Sequence, residues 1–199
     1  HKEASWPGKI SSIFPSYAEF VRTLADFEDV RINVADDRMQ EEAERILKDA
    51  GTDMGHVRFF HHPTNDAWCR DHGPAFLLHK TDKGRRAIVD WGYNAWGNKY
   101  PPFDLDDEIP TRVGGVLDLP VFYPGIVMEG GSVDFNGMGT LLTTTACLLN
   151  ENRNPHLSCQ QISEYLQEYY GVEQILWLEE GIAGDDTDGH IDDIARFVK

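Results

Sequence analysis

Cysteine, basic side chains and long apolar runs are all scarce in this 199-residue chain. The three cysteines, Cys69, Cys147 and Cys159, form an odd set at spacings that fit neither a zinc-binding pair nor a small disulfide framework. Reduced thiols in a cytoplasmic protein are therefore expected. No apolar run is long enough to span a bilayer, and no charged-then-apolar segment opens the chain as a secretory signal would. Lysine and arginine number 18 against 34 aspartates and glutamates, for a net charge of −16. A field of that sign repels phosphate backbones and anionic headgroups, which argues against nucleic-acid and membrane partners and favours encounter with a small cation. Low-complexity segments and linkers are also absent, and 41% hydrophobic residues suffice for one compact core. The sequence starts at His1 without a methionine and stops at Lys199 in an apolar run. It is read as a single domain over 1–199, incomplete at both ends.

What is present is an alternation of helical and extended signals. Ser16 and Glu19 make a capping-box pair after Pro15, with Tyr17, Phe20, Val21 and Leu24 at helical spacing behind them. Asp36 or Asp37 caps a second helix with the stripe Met39, Ala43, Ile46, Leu47 and Ala50, ended by Gly51. A third begins at Asn154-Pro155, turns Ile162, Tyr165, Leu166 and Tyr169 to one side, and ends at Gly171. Strands are expected at 30–34, 57–61, 75–78, 87–91, 141–145, 174–178 and 194–198, and Asn136-Gly137 marks a hairpin joining 126–135 to 138–145. The order describes an α/β or α+β protein with mixed sheets and loosely repeated strand-helix-strand units. Residues 92–110 are the longest irregular stretch, of the kind that covers a site.

Four constellations carry chemistry. Asp185-Asp186-Thr187-Asp188-Gly189-His190-Ile191-Asp192-Asp193 crowds acids and an imidazole around one glycine, and in an extended segment Asp188, His190 and Asp192 share a face. Like charges at close range raise each other's pKa, so a cation or acid/base chemistry is a reason to keep them. The alternative is a solvated acidic loop, to which Asp185, Asp186 and Asp193 are assigned. Trp68-Cys69-Arg70-Asp71-His72-Gly73-Pro74 sets an aromatic, an ion-pair candidate and a turn together. Met128-Glu129-Gly130-Gly131 ends an apolar run with a carboxylate beside two glycines that permit close backbone approach. Asp90 to Gly97 is aromatic and polar, as small-ligand pockets are. Taken singly, each also fits a structural role: Asp71 bridging Arg70, Glu129 capping a turn, the tryptophans packing.

Together, and in this order, Asn65 to Pro74, Trp91 to Gly97, Glu129-Gly130-Gly131 and Asp188 to Asp192 resemble the agmatine deiminase and bacterial peptidylarginine deiminase family of the guanidino-group-modifying (pentein) superfamily. The resemblance runs from the opening His1-Lys2-Glu3-Ala4-Ser5-Trp6-Pro7 to Lys199. It implies a pentein-type α/β propeller of strand-helix modules around a central funnel, of which this chain would hold about the first three. It implies that Asp71 and Asp192 grip a guanidinium, that Trp68 lies along the substrate's alkyl stem, that His190 is the general acid/base, and that Glu129 is its carboxylate partner and second anchor. Planar guanidinium suits paired N–H···O bonds to carboxylates, and an imidazole between carboxylates is expected to have a raised pKa. The implied reaction is agmatine to N-carbamoylputrescine and ammonia through a covalent amidino-thioether, a step of putrescine and polyamine biosynthesis. Neither a cofactor nor a metal is implied, and self-association stays open.

The family's nucleophilic cysteine lies in a glycine-rich segment near the C-terminus, with no counterpart before Lys199. Asp71 disfavours a thiolate at Cys69, Cys147 follows a buried strand, and Cys159 sits in a helix, so no nucleophile is expected in this chain. Three rivals remain. One is peptidyl arginine as the substrate, and another is a fragment that only binds guanidinium. The third is a metal-dependent hydrolase using Asp188, His190, Asp192 and Glu129. A calcium loop is excluded, because Gly184 and Ala195 would occupy its first and last ligand positions. The adjacent His61-His62 would point to opposite faces of a strand and make no chelate.

Overall fold

A computed structural model describes residues 6–82 and 84–198. The opening 1–5 and Lys199, both within the sequence resemblance, lie outside the described residues. The chain divides into two compact units, His1–Ala67 and Trp68–Lys199.

In the first unit, α1 (Ile10–Ala25) precedes β1 (Val30–Val34), α2 (Asp37–Asp49) and β2 (Val57–His61). β1 and β2 pair in parallel, Val30 opposite Val57 through Val34 opposite His61, so α2 is the crossover of a strand-helix-strand unit. Asp36 caps α2 as expected, its carboxylate accepting from the Met39 N–H at 2.9 Å. Ala18, Val21, Ala25, Ile32, Val34 and Leu47 form the core. α1 differs from expectation. It starts before Pro15, which removes one backbone donor without ending the helix, and Tyr17 and Phe20 lie exposed while Ala18 and Val21 face inward. His61 bonds the Gln40 amide at 2.9 Å and His62 stacks on Phe60, so the two imidazoles diverge.

The second unit holds two three-stranded sheets of the same plan. In one, the hairpin β3 (Ala75–Leu78) and β4 (Arg86–Val89) is followed through α6 (Ile109–Leu117) by β5 (Val121–Phe122), parallel to β4. In the other, β6 (Asp134–Phe135) and β7 (Thr140–Thr144) form the hairpin, and α8 (Cys159–Tyr170) leads to β8 (Gln174–Leu178), parallel to β7. Asn136 makes the expected turn, its side chain accepting from the Met138 and Thr140 N–H groups. Leu141, Leu148, Ile162 and Leu166 are packed with Trp91, Ile126, Met128 and Val133 in one core.

Local chemistry explains where sequence signals misled. Asn154 does not start α8. Its amide pairs with the Val127 backbone, accepting from the N–H and donating to the C=O, while Ser158 with Gln161 supplies the capping box. The stretch 92–110 is largely irregular as expected, yet it holds a short left-handed turn, α4 (Ala95–Asn98), with positive φ at all four residues, then the helical turn α5 (Asp104–Asp107) and the start of α6. Residues 194–198 form no strand and Val198 is 91% exposed, because a 3-10 turn at Ile191–Asp193 redirects the chain. Of 126–135 only the last two residues join the hairpin, since Gly130–Ser132 is another 3-10 turn. Among the described residues no helix is long and apolar enough to cross a membrane.

Leu166→Ala empties a fully buried position between α8 and the sheet and should cost about 2–5 kcal/mol in urea unfolding followed by circular dichroism. Met138→Ala, at the exposed tip of the hairpin, should stay within about 0.5 kcal/mol. Equal losses would mean that this core is wrongly placed.

Candidate functional site

Asp71 comes from α3 (Cys69–His72), a single turn ending at Gly73. The turn presses against the 3-10 turn that follows Glu129: a Cβ on Gly130 would lie 2.1 Å from the Arg70 carbonyl oxygen. At Gly131 the contact is with ionisable groups. A Cβ there would lie 2.5 Å from His190 Nδ1, 2.6 Å from Asp71 Oδ1 and 3.0 Å from Asp192 Oδ2. Only a residue without a side chain lets the three converge on this backbone, and the Gly131 N–H donates to Asp71 Oδ1 at 3.1 Å. His190 Nδ1 is 3.6 Å from Asp71 Oδ1 and 3.9 Å from Asp192 Oδ1. Arg70 does not bridge Asp71. Its guanidinium approaches Asp192 at 3.8 Å and donates to the Val133 carbonyl at 3.1 Å.

Glu129 lies at the heart of a second network around a residue that sequence reasoning missed. The Arg153 side chain is fully buried, and its Nε donates to Glu129 Oε1 at 2.6 Å. Its Nη1 donates to Asp188 Oδ2 at 2.8 Å and Asn152 Oδ1 at 2.6 Å, and its Nη2 to the Thr187 carbonyl at 2.9 Å. Lys99 adds an ion pair to the other Asp188 oxygen at 2.6 Å. The only hint in the sequence was the polar run Asn150-Glu151-Asn152-Arg153-Asn154 between a strand and a helix.

The 180–190 segment is a loop, and the expected shared face of Asp188, His190 and Asp192 is corrected. Asp188 and Gly189 have φ of 67° and 99°, so the side chains do not alternate. Asp188 goes to Arg153 and Lys99, whereas His190 and Asp192 meet Asp71. Thr144, at the end of β7, donates its hydroxyl to the Gly189 carbonyl at 2.6 Å and ties the loop to the sheet. Asp185 is not a free acid on a solvated face either. It accepts from the Thr187 N–H and hydroxyl and from the Gly189 N–H, which builds the turn. Asp186 accepts from the Tyr100 hydroxyl, and Asp193 is exposed as expected.

Burial dominates the protonation of these groups. His190 is 2% exposed, and desolvation with the Arg153 cation pushes its imidazole down to about 4, against Asp185 and Asp188. The expectation of a raised imidazole pKa is thereby reversed, and at neutral pH the ring is neutral. Asp71 is pushed up to about 7 by burial and the Glu129 charge, with the Gly131 N–H opposing. Burial also raises Glu129 and Arg153 opposes it, while Asp192 is raised by burial and by Asp193. Burial pushes Asp188 up as well, yet Lys99, Asn152 and Arg153 hold it down at about 2. Trp68 is 36% exposed, edge-on to Trp96, which packs in turn on Tyr93 and Tyr100. Trp91, by contrast, packs on Tyr169 and Tyr170 in the core.

Cys147 is fully buried in α7 (Thr145–Leu148), its thiol raised well above the ordinary range by burial and by Glu129. Cys69 is raised by desolvation and by Asp71, and Cys159 is exposed at the start of α8. The four-residue metal set considered from sequence is not assembled, since both oxygens of Asp188 are held by cations.

The fold is an α/β fold shared with solved agmatine deiminases. A Campylobacter structure, described as the C. jejuni agmatine deiminase in a cysteine-to-serine variant with substrate bound, superposes with a TM-score of 0.84 at 38% identity, covering 97% of this chain and 55% of that one. The chain belongs to the family described as Porphyromonas-type peptidyl-arginine deiminase, whose sequence profile matches residues 1–199. The agmatine deiminase of Pseudomonas syringae pv. tomato is 36% identical over 189 residues, 92% of this chain and 49% of its own. A Legionella pneumophila relative reaches 42% over 186 residues, 92% of this chain and 50% of its own. The chain thus spans about half the length of the curated relatives it matches.

The two shifted groups make opposite contributions to stability. From about 4 to 6.5 folded His190 holds fewer protons than the unfolded ring, so it makes stability rise with pH. From 3.8 to about 7 folded Asp71 holds its proton longer than the unfolded acid, so it makes stability fall as pH rises. Urea unfolding across this window should show a steeper rise with pH in Asp71→Asn and a shallower rise, or a fall, in His190→Gln. The reverse pair of slopes would refute the assigned protonation states.

Proposed function

We propose that this chain supplies the guanidinium-gripping and acid/base part of a hydrolase that deiminates agmatine, releasing ammonia and N-carbamoylputrescine. The observation that carries the reading is the convergence of Asp71, Asp192 and His190 on the backbone of Gly131. Asp71 and Asp192 bind the planar cation through charge-assisted N–H···O bonds, Glu129 is the second anchor and partner of His190, and Trp68 lies against the alkyl stem. Bringing a cation to Asp71 favours its ionised form, so binding releases a proton from a group poised at about 7.

The nucleophile in this reading is a cysteine other than Cys69, Cys147 and Cys159. Its thiolate attacks the guanidinium carbon. His190, neutral before the reaction, takes the proton that the thiol loses on forming that thiolate and passes it to the departing nitrogen, which leaves as ammonia. Water then adds to the amidino-thioether, the C–S bond breaks, and the ureido product departs with the thiolate restored. The fold of the parent protein is, in the same reading, a pentein-type propeller. The repeated plan, a parallel strand pair crossed over by a helix at β1-α2-β2, β4-α6-β5 and β7-α8-β8, supports about three such modules here. A small, singly charged stem suits an acidic chain better than a peptide does, which favours agmatine over peptidyl arginine; no nucleic-acid or membrane partner is proposed, and the cytoplasm is the proposed location.

Calorimetric titration with agmatine should show Asp71→Asn weakening binding by about 2–5 kcal/mol, and Asp193→Asn, an exposed acid of the same run, changing it by no more than about 1 kcal/mol. Equal effects would mean a diffuse acidic field rather than a specific grip. In the protein that contains this chain, His190→Gln should abolish ammonia release and Cys69→Ser should leave it intact. Turnover lost with Cys69 would place the nucleophile wrongly.

A further inference from the structure

His190 and Glu129 also belong to a cluster with a buried thiol that the proposed reaction does not use. Glu129, Cys147 and His190 each offer an atom able to bind a metal, these atoms lie within 4.8 Å of one another, and all three residues are buried. We propose that they form a site for a thiophilic divalent cation of the Zn²⁺ class, which inhibits by occupying the acid/base residue and its carboxylate partner.

Two independent features point to a ligand at these residues. Glu129 Oε2 and His190 Nε2 are buried and have no hydrogen-bond partner, although the other oxygen of Glu129 is satisfied by Arg153. A buried polar atom left unpaired costs about 1–3 kcal/mol, so two of them beside one thiol call for a ligand. In addition, His190 Nδ1 faces the carboxylates of Asp71 and Asp192, which favours the tautomer with N–H at Nδ1 and the lone pair at Nε2. A carboxylate behind an imidazole is the arrangement that orients metal-binding histidines.

The donor set selects the metal. Thiolate, imidazole and carboxylate together suit Zn²⁺ or Co²⁺, whereas Ca²⁺ and Mg²⁺ require oxygen. Bond lengths of about 2.0–2.3 Å put tetrahedral ligand atoms roughly 3.3–3.8 Å apart, so the three must close in by about 1.5 Å at most. On binding, the Cys147 S–H loses its proton to solvent and a metal–sulfur bond forms, with no change of oxidation state. The cation's charge is then balanced by the thiolate and Glu129, and Arg153 keeps Asp188 as its counter-ion. Inhibition rests on the roles proposed for His190 and Glu129; binding does not.

Metal-free protein titrated with Co²⁺ should develop a near-ultraviolet sulfur-to-cobalt charge-transfer band and tetrahedral d–d bands, displaced by Zn²⁺ and untouched by Ca²⁺ or Mg²⁺. Cys147→Ser should abolish the charge-transfer band and weaken binding roughly 10–100-fold, and Cys159→Ser, on the exposed start of α8, should leave both unchanged. X-ray absorption of the zinc-loaded unmodified protein needs no variant and should show one sulfur and one imidazole ligand. A band that is absent, that survives Cys147→Ser or that disappears with Cys159→Ser overturns the site, as does a sulfur-free absorption spectrum. Because these readouts are independent of turnover, cobalt binding here together with no ammonia release from agmatine by the metal-free protein that also carries the nucleophile would sink the deiminase reading alone. Agmatine turnover with no cobalt band would sink only the metal site.

Discussion

The buried Arg153 guanidinium is the interaction on which the geometry of the candidate site depends. It joins the carboxylate after the Gly92–Val127 bridge, the loop carbonyl of Thr187 and the side chain of Asp188, and so ties together segments that share no strand pairing. A buried ion pair is no guarantee of net stability, since desolvating both partners offsets much of their attraction. What it does provide is direction. With five donors in a rigid fork, Arg153 fixes one oxygen of Glu129 and leaves the other buried without a hydrogen-bond partner. It also makes a protonated His190 costly.

Close backbone approach is the complementary constraint. Gly130 and Gly131 let α3 and the Glu129 turn come together until polar groups from three parts of the chain share one small volume. In that desolvated space the ordinary order of titration is inverted: the carboxyl of Asp71 holds its proton to about 7 and the imidazole of His190 gives it up at about 4. A neutral imidazole beside a carboxyl poised at about 7 is a state compatible with the proposed reception of a cation and a later proton transfer.

Much of the fold was legible beforehand because it follows from local rules. Strands 30–34, 57–61, 75–78 and 174–178 appear at the expected residues, and Asp36 and Gly171 sit at the helix ends they were assigned. The failures share a cause. Asn154 carries an ordinary helix-start signal, the apolar run after Ile191 a strand signal and Asp185 the look of a solvated loop acid, but each is diverted by a partner distant in sequence or by a turn: Val127 for Asn154, the Gly189 turn for Asp185, and Asp134, which accepts from the Phe197 N–H, for the apolar run.

For the site, acids beside glycines and an imidazole marked the segments that hold Asp71, Glu129, His190 and Asp192, but each segment alone also fitted a structural role, and it was their order and their resemblance to the deiminase family that joined the four residues into one candidate site. Asp188 looked like one of that set and is instead part of the support, and Arg153 did not stand out at all. Those two assignments, the neutral state of His190 and the cluster with Cys147 were decided only in three dimensions. Pairing of charges and depth of burial depend on distances between residues far apart in the chain, and neither periodicity nor spacing encodes them.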